Sequence, residues 1–162
     1  MNNRIEILRS YIEQLTNTEK RAESWHVEKH MLVVSNFSPM IALKRGLDPE
    51  IATMVAFLHD LHTLLTGNST NHAKFSSMLA REILTELSIV TEDEMDTICE
   101  AIKNHSTKRE IHDPYSEIIK DADVLSHYFQ NVSLPIAEKD EMRLEALVNE
   151  FGLHFYRRDK DS

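Results

Sequence analysis

The segment LDPEIATMVAFLHDLHTLLTG, residues 47–67, carries the two signals that decide the fold class and the chemistry. Asp48-Pro49-Glu50 opens a helix in the expected way, with an N-cap, proline at the first helical position and an acid in the first turn. Ile51, Met54, Val55 and Leu58 then recur at helical spacing, as on a face that enters a core. The apolar stretch ends on His59-Asp60. Burying a carboxylate beside an imidazole is costly unless both are paired or hold a metal, so the rest of the chain must supply the partners.

Outward from this segment the pattern stays helical. Residues 2–17 space Ile5, Leu8, Ile12 and Leu15 at three and four residues. A longer helix is expected through Trp25 and His30 to about Lys44, bent at Pro39 and closed by Gly46. Thr66–Ser69 reads as a loop. Asn71 or Thr70 caps the next helix, in which Phe75, Leu79, Ile83 and Leu87 form the expected buried stripe. Thr91-Glu92-Asp93-Glu94 is a capping-box pattern for a helix running to about His105. Asp113-Pro114 opens PYSEIIKDADVLSHYFQ, and EKDEMRLEALVNEFG is the last clear helix. No strand-like alternation competes, and 3 Gly and 4 Pro give sparse turn punctuation. The expectation is an all-α, single-domain bundle of about seven helices spanning residues 1–162.

Composition narrows the function classes. With 162 residues, 41% hydrophobic and 28% charged, the chain is ordinary for one domain with a real core. A net charge of −9 argues against a nucleic-acid surface, which needs a positive stripe. The single cysteine, Cys99, excludes an intramolecular disulfide framework and suits the cytoplasm. No apolar run reaches the roughly 20 residues of a membrane span, and the N-terminal residues lack a signal-peptide apolar region. The expected location is cytoplasmic. Nine histidines is the unusual number.

Their positions form a constellation. His30 lies on the long helix before His59-Asp60, His72 starts the helix after the pair, and His105 ends the next one. IIKDADVL then places Asp121 and Asp123 two residues apart in a helical segment. Taken singly, a histidine on an apolar helix is more often a hydrogen-bonded core or capping residue than a ligand. Taken together, imidazoles and carboxylates suit Zn, Mn, Fe or Ni. His26 precedes His30 by four residues, on one helical face, and is as easily a packed position. His62, three after His59, is a supporting or cleft residue. His112, His127 and His154 are assigned to surface or packing. Lys103, Lys108, Arg109 and Lys120 make the surroundings of His105 locally basic, while Met31, Met40, Met54 and Met78 read as core filler.

The order H…HD…H…H…D, with the HD pair at the end of an apolar helix and Ala122-Asp123-Val124-Leu125 on a later one, resembles the HD-domain metal-dependent phosphohydrolase superfamily. The resemblance runs from about Trp25 to Phe129 and implies an HD-type helical domain with its motif-bearing core at about residues 25–130. It implies metal ligation by His30, His59, Asp60 and Asp123, with Asp121 a neighbouring carboxylate. His72 and His105 would serve a second metal or the substrate phosphate, and Lys103 and Lys108 are candidate substrate contacts. The cofactor implied is one or two divalent ions, of Mn, Fe, Ni, Zn or Mg. The activity implied is hydrolysis of a phosphate ester or anhydride of a nucleotide by a metal-activated water. Two other classes share the frame: a di-iron oxygenase, distinguished by the identity of its metal, and a non-catalytic nucleotide-sensing module. The expected partner is a small phosphorylated molecule rather than nucleic acid or membrane, and a homo-oligomer is compatible with this reading.

Overall fold

The computed structural model describes residues 3–17 and 24–154, and all regular structure among them is helical. The order is α1 (Arg4–Asn17), α2 (Ser24–Lys44), α3 (Pro49–Leu58), α4 (Leu61–Thr66), α5 (His72–Leu87), α6 (Glu92–Asn104), α7 (Pro114–Gln130) and α8 (Glu138–Glu150). α2 packs along α3 and α7, α5 pairs with α6, and α8 lies against α7. One continuous core joins them, with Leu8, Val34, Ile41, Met54, Leu58, Leu61, Leu84, Ile98, Ile119 and Leu144 withdrawn from solvent.

The helix boundaries follow local chemistry. Asp48 accepts a hydrogen bond from Glu50 N at 2.8 Å and Pro49 occupies the first position of α3. Thr91 and Glu94 form the reciprocal capping box of α6. Asp113 accepts from the amides of Tyr115 and Ser116, each at 3.0 Å, and so starts α7. α2 continues through Pro39 and ends where Gly46, at φ 68°, lets Leu47 N donate back to Ala42 O at 2.9 Å. That left-handed turn suits glycine.

The described residues form eight helices, in keeping with the about seven expected; the added boundary lies at Asp60 (φ −114°, ψ 16°), where the chain leaves helical geometry and restarts as α4. Two expectations are corrected. The buried stripe of α5 is Ala73, Ser76, Ala80, Ile83 and Leu84. Phe75 is mostly out of the core because small residues let α5 approach its neighbours closely. Met31 and Met54 are core residues, but Met40 and Met78 are 41% and 52% exposed.

A charged lattice ties α8 to the rest. Asp121, nearly buried, receives Arg45 Nη2 at 2.6 Å and Arg143 Nη1 at 2.7 Å. Arg45 also holds Glu150 at 2.8 Å, and Arg143 holds Glu117 at 2.8 Å. Lys120, fully buried, is satisfied by Glu110 O at 2.9 Å, His112 Nδ1 at 2.6 Å and Glu117 Oε1 at 2.8 Å. Buried charges of this kind are tolerated because each finds several partners.

Since the Asp113 carboxylate satisfies two otherwise unpaired amides of α7, Asp113→Ala is expected to lower stability by about 1–2 kcal/mol. Urea denaturation monitored by circular dichroism checks this, and an unchanged midpoint would contradict it.

Candidate metal centre

The helix break brings the side chains of His59 and Asp60 together, with Nε2 and Oδ2 3.5 Å apart. Neighbours on an uninterrupted helix point about 100° apart. Here His59 ends α3 in helical geometry, whereas Asp60 adopts a conformation near the bridge region favoured at active sites. Asp60 occupies the capping position of α4 but makes no side-chain cap. Its carboxylate instead lies among four imidazoles. Oδ2 is 3.5 Å from His59 Nε2 and 3.8 Å from His30 Nε2. Oδ1 is 3.4 Å from both His72 Nε2 and His105 Nε2.

The other ring nitrogens fix what these imidazoles present. Nδ1 of His59 meets Ala56 O at 2.8 Å, Nδ1 of His105 meets Ile102 O at 2.7 Å, and Nδ1 of His72 meets Ser69 O at 2.9 Å. A carbonyl only accepts, so each Nδ1 carries the proton. In the neutral ring, Nε2 then offers a lone pair. The His72 and His105 Nε2 atoms are 3.0 Å apart, so two lone pairs face each other and an anion without a cation between them. His59 Nε2 and Asp60 Oδ1 are buried and have no hydrogen-bond partner. Burial pushes the His59 pKa down to about 4, despite the attraction of Asp60, so the ring is neutral at pH 7. Polar atoms arranged this way fit a cation, and the donor types suit a divalent transition metal.

His30 belongs to a second arm. Its Nε2 is 2.9 Å from Asp123 Oδ1, and its Nδ1 contacts Ser126 Oγ at 3.1 Å. A hydroxyl gives or takes a hydrogen bond, so His30 can direct either a proton or a lone pair into the cluster. Lys108 Nζ lies 2.5 Å from Asp123 Oδ2 and 3.5 Å from Asp140 Oδ1, with its side chain 6% exposed. Burial opposes ionisation of Asp123, yet the His30 hydrogen bond and the Lys108 charge keep its pKa well below the ordinary value.

The structure therefore gathers His30, His59, Asp60, His72, His105 and Asp123 into one cluster. Two groupings able to hold an ion share Asp60: His30 and His59 on one side, His72 and His105 on the other. Lys108 is also there. Lys103 is not: it is solvent-exposed and pairs with Glu100 at 3.3 Å. Asp121 faces Arg45 and Arg143 rather than the cluster. Its reach to the site is indirect, through Arg143, which donates to Lys108 O at 2.9 Å. The His62 ring packs on Phe75, with centroids 4.9 Å apart, and does not join the cluster.

His127, expected at the surface or in packing, is half exposed and packs at the edge of the cluster. It stacks on His30 with centroids 5.1 Å apart, and its Nε2 is 3.6 Å from Asp123 Oδ1. Its position four residues after Asp123 on one helical face was the available signal. Asp140 had none, since only the packing of α8 against α7 brings it near Lys108. His26 and His154 are exposed and outside the cluster.

An all-helical domain built around such a histidine–aspartate cluster defines a recognisable class. The HD-domain family model matches residues 27–128, and the chain belongs to that family. A solved structure from an uncultured Thermotogales bacterium, described as a predicted HD superfamily hydrolase, has the same fold. It aligns with a TM-score of 0.52 at 19% identity over 94% of this chain and 88% of its own. No curated protein sequence matches the chain.

Two predictions follow from the cluster. Asp60→Ala should abolish metal content measured by elemental analysis while leaving helical circular dichroism intact; full metal occupancy in the variant would contradict the assignment. Asp123→Asn should weaken metal binding strongly. Asp121→Asn should instead lower thermal stability, because two arginines lose their shared anion, and should leave metal content near that of the native chain.

Proposed function

We propose that the protein is a metal-dependent phosphohydrolase that cleaves a phosphate ester or anhydride of a small molecule, a nucleotide being the favoured class. The observation that supports it most is the Asp60 carboxylate flanked by Nε2 atoms whose Nδ1 protons are already committed to backbone carbonyls. His30, His59, Asp60 and Asp123 would hold one ion, with His72, His105 and Asp60 able to hold a second or to meet the phosphate. A divalent ion bound there would supply hydroxide near neutral pH and offset charge on a phosphoryl oxygen.

The chain's own groups complete the chemistry. The Nδ1–carbonyl bonds preorganise the imidazoles, so no reorientation is required as substrate arrives. Lys108 Nζ, 2.5 Å from Asp123 Oδ2 and 3.5 Å from Asp140 Oδ1, offsets carboxylate charge that would otherwise face an incoming phosphoryl group. In a chain of net charge −9, an anionic substrate needs such local positive charge. Because Asp60 is shared by two groupings, an oxygen-activating pair of irons fits the same six residues. Iron in the purified protein with O2 consumption would select that alternative.

The test is a screen of phosphomonoesters, nucleoside phosphates and their anhydrides with Mn, Fe, Ni, Zn and Mg. Metal-dependent release of inorganic phosphate or pyrophosphate is expected. His72→Ala and His105→Ala should each lower turnover about a hundredfold, as for loss of a positioned electrostatic group. Native turnover in either variant would remove that residue from the site.

A further inference from the structure

Besides the two groupings that share Asp60, a third set of donors able to hold an ion lies on the second arm of the centre. His30, Asp123 and His127 each bring one ligand atom within 4.8 Å of the others. Asp140, near the start of α8, extends this set, with its Oδ2 3.9 Å from His127 Nδ1. Asp123 and Asp140 are only 7% and 4% exposed. Two carboxylates flanking an imidazole form a donor set that manganese or zinc accepts. Buried as they are, the carboxylates require a cation between them.

In this chain that cation is a side chain. Lys108 Nζ lies 2.5 Å from Asp123 Oδ2 and 3.5 Å from Asp140 Oδ1, with its side chain 6% exposed. Its backbone is fixed as well. Arg143 Nη2 donates to Lys108 O at 2.9 Å, and Arg143 is itself held by Glu117 and Asp121. The ammonium is therefore placed by both α7 and α8, unlike a lysine that swings in from solvent. A metal ion bound to both carboxylates would have to displace it, because two cations at such short range repel strongly.

We propose that Lys108 is the resident cation of this third grouping: it takes the place of a metal ion between Asp123 and Asp140 and leaves Asp123 only Oδ1 to offer the ion at Asp60. The centre is thereby limited to ions on the two Asp60 groupings. One positive charge also stays beside them whatever the metal supply. Lys108 is a positioning residue here, since it acts on the metal through Asp123. The inference rests on the metal-centre assignment and is independent of the phosphohydrolase reading.

The experiment uses the full chain, with manganese as the probe, and two variants. Lys108→Ala removes the ammonium and opens the space it fills. Lys108→Ala/Asp140→Asn also removes one carboxylate of the opened site. Manganese per chain, measured by elemental analysis after equilibrium dialysis, should rise by one ion in Lys108→Ala and return to the native value in the double variant. Anomalous maps from Lys108→Ala crystals should place the added ion within coordination distance of Asp123 Oδ2 and Asp140. Native stoichiometry in a folded Lys108→Ala, or an added ion that persists in the double variant, would overturn the proposal. If either variant fails to fold by circular dichroism, crystals of the native chain at saturating manganese decide. Nζ still seated between the two carboxylates upholds the proposal, and manganese bound to Asp140 in its place overturns it. A native chain that takes up no manganese, beside a Lys108→Ala chain that takes up one ion at Asp140, would instead overturn the metal-centre assignment and leave the role of Lys108 standing.

Discussion

The Asp60 carboxylate, with histidine Nε2 atoms at 3.4–3.8 Å on both of its oxygens, is the constraint on which the rest of the structure depends. Three of those rings commit their Nδ1 protons to main-chain carbonyls. Without a cation, their lone pairs converge on an anion and on one another, at a cluster in which the His59 and His105 rings are buried. Leaving such groups buried without a partner costs several kcal/mol. A helical domain that accepts this cost is organised to bind positive charge there.

The scaffold meets that demand by converging helix ends. α3 stops at His59, α5 begins at His72 and α6 is capped by His105, so three ends share one side of the bundle. The i−3 carbonyl that orients each of these rings belongs to the same local turn, which couples helix geometry directly to imidazole orientation. α2 and α7 deliver His30 and Asp123 from mid-helix, where packing leaves them little freedom. The Arg45–Asp121–Arg143 lattice then reaches the backbone of Lys108. A carboxylate outside the centre thus helps to place the ammonium inside it.

Much of this was legible in the sequence. Capping residues such as Asp48, Thr91 and Asp113 act locally, so their roles survive folding unchanged. The six-residue constellation was also readable, because order along the chain and position relative to helix ends constrain which side chains can meet. What failed depended on packing at a distance. The stripe of α5 moved toward Ala73 and Ala80 because close helix approach favours small residues over Phe75. His127 reads as a surface or packing residue, and only the neighbouring helix shows that its packing partner is the His30 ring. Asp121 and Asp123 are two residues apart on α7 and therefore point to different sides. The resemblance had already set Asp123 at the centre and Asp121 beside it, and the positions of Arg45 and Arg143 give the physical reason for Asp121's separate role. The break at Asp60 was hidden for a similar reason: no Gly or Pro marks it, and it follows from the surroundings of the side chain.

The central claim, that Asp60 lies beside a bound cation, is tested most directly by anomalous diffraction from crystals grown with manganese or zinc. Difference maps across the metal's absorption edge should show a peak within coordination distance of His59 Nε2 and an Asp60 oxygen, with His30 and Asp123 completing its surroundings. An empty cluster at saturating metal, or a peak bound elsewhere on the chain, would contradict the account.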